Sequence, residues 1–135
     1  MPVTALETGL YNKLKASSGL ITELGGTLIY NQLAPQSPGS KYVIFQWQGG
    51  GDENDTPTRS RSVLYTVFGV ATTKATAATI DGLIDAALHD QTLTITGWAN
   101  YQCVRETDIN IIDPNSGMVP RYRCGAIYRI SINEV

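Results

Sequence analysis

Histidine occurs once in the 135 residues and cysteine twice, and most hydrolytic and zinc-dependent sites need a second histidine or a cysteine pair. Cys103 and Cys124 are too few for a secreted disulfide scaffold and lack metal-ligand spacing. His89 has no partner in sight that would tune it as a base, and it falls at the end of a predicted helix, where partial positive charge is favourable. Charge is scarce as well, at 16%, and ten basic against twelve acidic residues give a net charge of −2. With no basic excess to neutralise phosphates, the composition argues against autonomous DNA binding. No apolar run approaches the ~20 residues of a membrane span, and the N-terminus lacks the basic-then-apolar layout of a signal peptide. A soluble product of the cytoplasm where it is made is expected. Gly49-Gly50-Gly51 is not followed by Gly-Lys-Ser/Thr, so it is no phosphate loop. Asp52, Asn54 and Asp55 lack the glycine and the distant glutamate of a calcium loop. No catalytic residue, metal ligand or cofactor site is expected.

What is present is periodicity. In Thr72–His89, apolar residues fall at Ile80, Leu83, Ile84, Ala87 and Leu88, one stripe at helical spacing. Thr72 or Thr73 suits the N-cap. Asp81 and Asp85, one turn apart off the stripe, read as solvated carboxylates. A first helix is expected from about Ala5 to Ala16, with Leu6, Leu10 and Leu14 in line and Thr4 and Glu7 as a capping box. Leu20–Leu24 reads as one more turn, stopped by Gly25-Gly26.

The remaining segments alternate like strands. Thr27–Tyr30 is short and β-prone, and 31–40, with Pro35 and Pro38, reads as a crossing loop. Lys41–Gln48 points Val43, Phe45 and Trp47 one way and Tyr42, Ile44, Gln46 and Gln48 the other. Gly49–Ser60 reads as a polar, exposed loop with Asp52, Glu53 and Asp55 at its tip and Arg59 and Arg61 on the return, a candidate partner or lumen contact. Ser62–Ala71 is apolar on both faces, so it should be central or have one face covered by a partner. Thr92–Ile95 is a strand entry. Tyr101–Ile112 and Val119–Asn133 form two strands joined by the turn-rich 113–118.

If Ile112 pairs with Val119, Arg123 falls opposite Asp108, with Glu106 diagonal to it, and Arg121 and Arg129 opposite Asn110 and Gln102. Charges would then interleave on one polar face carrying Arg105, Glu106, Asp108, Arg121, Arg123 and Arg129, a candidate subunit interface. That register leaves Cys103 and Cys124 four residues out of opposition, so both read as buried free thiols. The whole is one α+β domain over 1–135: an antiparallel or mixed sheet of four to five strands with two helices packed on one face.

The order of these pieces carries a resemblance. An N-terminal helix, Leu24-Gly25-Gly26, Ile29-Tyr30, Ala34-Pro35-Gln36 and Tyr42-Val43-Ile44-Phe45 are followed by a polar loop and a strand. An Ala-rich helix closing on Leu88-His89-Asp90 and the Asp113-Pro114 hairpin complete the layout. It resembles the tail terminator (tail completion) proteins of long-tailed bacteriophages. The resemblance implies a virion protein made in the host cytoplasm and assembled as a hexameric ring on the head-proximal end of the tail. Its implied partners are the tail tube protein and the head–tail connector or stopper, with DNA passing through the lumen without a specific grip, and no membrane. Another small neck or head–tail joining protein of the same particle is the nearest alternative, and a small α+β enzyme or binding module the more distant one.

Overall fold

The computed structural model describes residues 3–32, 41–52, 60–113 and 121–134. Three helices lie on one face of a six-stranded mixed sheet. The helices are α1 (Val3–Lys15), α2 (Ser18–Leu24) and α3 (Lys74–Leu88), and the strands are β1 (Ile29–Asn31), β2 (Lys41–Asp52), β3 (Ser60–Ala71), β4 (Thr94–Ile95), β5 (Trp98–Asp113) and β6 (Arg121–Glu134). Across the sheet the order is β1-β2-β3-β6-β5-β4, antiparallel throughout except for the parallel β1–β2 pair.

The periodic signals survive folding. On α3, Ala77, Ile80, Ile84 and Leu88 are fully buried, while Leu83 is only half-buried. The Thr73 hydroxyl caps the helix by accepting from the Thr76 amide. Gly25, at φ 80°, closes α2 in the left-handed conformation. Beneath the helices the sheet presents Val43, Phe45, Val63, Tyr65, Val67, Ala126, Tyr128, Ile130 and Ile132. Gly69 lets α3 sit close: a Cβ there would overlap the Ile80 side chain. Burial of these apolar groups, at ~25 cal/mol per Å2, is the main stabilising term. β3 is central, as its two apolar faces predict.

Several expectations are corrected. The described residues form six strands and three helices, since the short β1 and β4 pair at the sheet edges and residues 18–24 form a true helix. The capping box does not form: Thr4 lies inside α1, and Glu7 turns to the sheet to accept from Asn31 Nδ2 at 3.0 Å and Tyr65 Oη at 3.2 Å. Gly49–Asp52 belong to β2 rather than to a loop. The β5–β6 register is shifted by three residues, with Asp113 opposite Arg121 and Ile111 opposite Arg123. Irregularities at Tyr101 and Glu106 then change which residues share a face. Asp108 therefore lies on the helix side with Ala126, away from Arg123. Cys103 and Cys124, opposite Ile130 and Asn110, are buried free thiols. Burial pushes the Cys103 thiol up to about 12.

Candidate functional site

The largest ionic cluster among the described residues lies between α3 and the sheet. Arg105, two residues on from Cys103, lies on the helix face beside Tyr128, and the bulge at Glu106 brings Asp108 to the same face. Its guanidinium donates to both oxygens of Asp81 at 2.9 Å, to Asp108 at 2.8 Å, and more weakly to Tyr128 Oη and the Gly125 carbonyl, each at 3.3 Å. Asp85 stands 3.6 Å away and accepts from Tyr128 Oη. Hydrogen bonds donated to Asp81 raise the guanidinium further above its usual range, outweighing burial. Burial and the Asp85 charge raise the Tyr128 phenol. At the end of α3, His89 Nδ1 accepts from the Arg105 amide, and the Asp90 amide donates to the Cys103 carbonyl. Asp81 and Asp85 are thus not solvated carboxylates. With Arg105 they form an internally satisfied clamp that fixes α3 to β5 and β6 and offers no vacant position for chemistry. The sequence carried a signal for it: an arginine two residues from Cys103 on the inward parity needs an acid partner.

The opposite face of the sheet carries no helix among the described residues. Tyr42, Ile44, Phe68 and Val70 form a second, smaller apolar cluster there. The guanidinium of Arg121 sits 5.6 Å from the centre of the Tyr42 ring, and that of Arg123 5.3 Å from Phe68. Arg129 binds Glu106 at 2.6 and 3.1 Å, and this pair holds the Glu106 carboxyl below its usual range. Of the predicted polar set, Arg121, Arg123, Arg129 and Glu106 share this face, whereas Arg105 and Asp108 lie on the other. Arg61, opposite Ile132, also lies on the helix side. Glu53, Asp55 and Arg59 lie outside the described residues, and of Asp52 only the backbone is described, as the last residue of β2.

Composition gave no warning of the remaining feature, which is the state of the sheet edges. β1 covers β2 only over Val43–Phe45, and β4 covers β5 only over Trp98–Ala99. Among the described residues the large apolar side chains left exposed are Trp47 (42%), Ile111 (52%) and Ile112 (61%), all on these two strands. A cleft of about 400 Å3 between α1 and β1 is lined by Tyr11, Tyr30 and Glu7 among others, with the Glu7 carboxylate already engaged. No group of three potential metal ligands occurs among the described residues, and no described helix is long and apolar enough to cross a membrane.

No protein-family model matches the chain, and no curated protein does. A solved structure does: a chain of the virion of a native gene transfer agent (GTA) particle matches over 97% of this chain and 96% of that one, with a TM-score of 0.80 at 18% identity. At that identity the likeness is one of fold, and it spans both chains almost end to end: this chain has the fold of a component of a gene transfer agent particle.

Proposed function

We propose that the chain is a structural protein of a phage-like virion. More finely, we read it as the tail terminator: a hexameric ring that caps the head-proximal end of the tail tube, stops its growth and offers a surface to the head connector. The observation that carries the virion reading is the near end-to-end fold match to a GTA virion chain, and the terminator role rests on the family resemblance in the order of the sequence elements. The disposition of charge supports a structural role, because the one cluster of acids and arginine under α3 is consumed in holding the helix down. On the open face, Arg129 is bound by Glu106, and Arg121 and Arg123 lie over aromatic rings. The Arg129–Glu106 pair cancels part of the field that would attract an anion, which suits a lumen that lets DNA pass.

The test is removal of the gene from a cell that makes the particle, followed by electron microscopy. A terminator predicts tubes of irregular length and unjoined heads, both restored by the purified chain. Tubes of normal length with unjoined heads would instead assign it to another neck protein. Normal, joined particles would overturn the virion reading.

A further inference from the structure

The two open edges of the sheet are complementary to each other. Among the described residues β2 has no edge partner from Gln46 onward, in its second half. β5 is held at its start by β4 and, through Cys103 and Arg105, by the end of α3, and among the described residues it has no edge partner from Glu106 onward. Each open stretch is about seven residues of strand, a length typical of whole strands in sheets. Exposed strand edges of this kind present unpaired backbone donors and acceptors and are ordinarily blocked by charge, proline or a covering element. Here they carry Trp47 on one side and Ile111 and Ile112 on the other.

Direction and stagger agree as well. Through the antiparallel chain β2-β3-β6-β5, strand β5 runs opposite to β2. A second copy placed beside the first by simple repetition therefore brings its β5 antiparallel to this β2. Within one copy Ile112 is level with Lys41, through Ala71 and Tyr122. To lie against the open half of β2, opposite Trp47, the neighbour's Ile112 must shift by six positions, roughly 20 Å at ~3.3 Å per residue. The four intervening strands span roughly 19 Å at ~4.8 Å each. Equal displacement along and across the strands means a lean of ~45°, close to the tilt at which sheets close into barrels.

We propose that copies of this chain join edge to edge, the Gln46–Asp52 stretch of one pairing antiparallel with the Glu106–Asp113 stretch of the next. The result is one continuous sheet with the helices outside and the arginine-bearing face inside. Trp47 of one copy then packs against Ile112 of its neighbour on the outer side, and the contact is head-to-tail. This deepens the ring reading above by naming its seam.

The experiment is a full-length Trp47→Cys/Ile112→Cys variant, oxidised mildly at concentrations where native mass spectrometry shows the parent assembled. The seam predicts a ladder of covalent species on a non-reducing gel, one copy added per rung. Each single-cysteine variant should stay unlinked, and Trp47→Cys/Ile111→Cys, whose second thiol is on the inner side, should link at least ~10-fold less. An Ile112→Asp variant gives a second readout: a folded circular-dichroism spectrum with the assembled mass lost. Dimers formed by either single variant would mean a two-fold contact and overturn the seam. An assembled parent whose double variant does not link, or an Ile112→Asp variant that still assembles, would overturn it while leaving the virion role untouched. A parent that stays monomeric across the accessible concentration range would also overturn it. The gene-removal experiment reads the particle role separately.

Discussion

Replacing Arg105 with methionine keeps most of the stem's packing and deletes the guanidinium, the most heavily engaged charge in the molecule. Two hydrogen bonds to Asp81, one to Asp108 and weaker ones to Tyr128 and Gly125 disappear together. Asp81 and Asp85 would then face each other across one helix turn against the sheet. Asp81 has 19% of its side chain exposed and Asp85 39%. Removing one partner of a fully buried ion pair costs about 3–5 kcal/mol. The partial exposure lets water relieve some of that, so we expect a loss of ~2–4 kcal/mol. With a urea dependence of roughly 1–3 kcal/mol per molar for a domain of this size, the unfolding midpoint should fall by about 1–2 M. Asp81→Asn should lose less, and adding Asp81→Asn and Asp85→Asn to Arg105→Met should recover part of the deficit by removing the stranded charges. The assay is equilibrium urea unfolding followed by far-ultraviolet circular dichroism. A change below ~0.5 kcal/mol for Arg105→Met, the range of exposed pairs and ordinary surface substitutions, would refute the clamp.

Gly69→Ala should cost ~1–3 kcal/mol in thermal or chemical unfolding, because the added methyl overlaps Ile80, and Ile80→Ala should partly compensate in the double variant. A neutral Gly69→Ala would mean that α3 is not seated so closely. Tyr65 and Tyr128 should resist ionisation when the other phenols are titrated by ultraviolet absorbance, since burial raises both above the ordinary 10.0. An acid whose folded pKa is raised leaves stability intact below 10.0 and erodes it as pH rises beyond, when the unfolded phenol ionises first. Alkaline unfolding should thus shift to higher pH in Tyr128→Phe. Glu106 carries the opposite sign: Arg129 lowers its pKa below the ordinary 4.5, so its contribution is present above that value and lost as pH falls through the folded one. Glu106→Gln should flatten the acid limb of the stability profile, and an unchanged limb would show that the pair is not maintained in solution.

The helices and the sides of the early strands were legible because each is set by a local period. The stripe from Ile80 to Leu88, the stop at Gly25 and the alternation of Tyr42–Trp47 each depend on neighbours a few residues away, and the sheet then buries what the pattern marks as apolar. The role of Glu7 was not legible. A capping box and a long-range acceptor use the same carboxylate, and only the approach of β1 and Tyr65 decides between them.

What the sequence by itself determined was the order of the main helices and strands, the central place of β3, the two buried thiols and the absence of a recognisable reactive signature. Only the tertiary structure decided the β5–β6 register, because two local irregularities cost little and each reverses every side chain beyond it. The irregularity at Glu106 turned Asp108 to the helix side, where it joins Asp81 and Asp85 around Arg105 under α3. Strand order leaves Ile111 and Ile112 on an edge with no partner strand among the described residues. Which strands lie at the edges, and how far their neighbours cover them, follows from pairings between segments distant along the chain, and no local period records it.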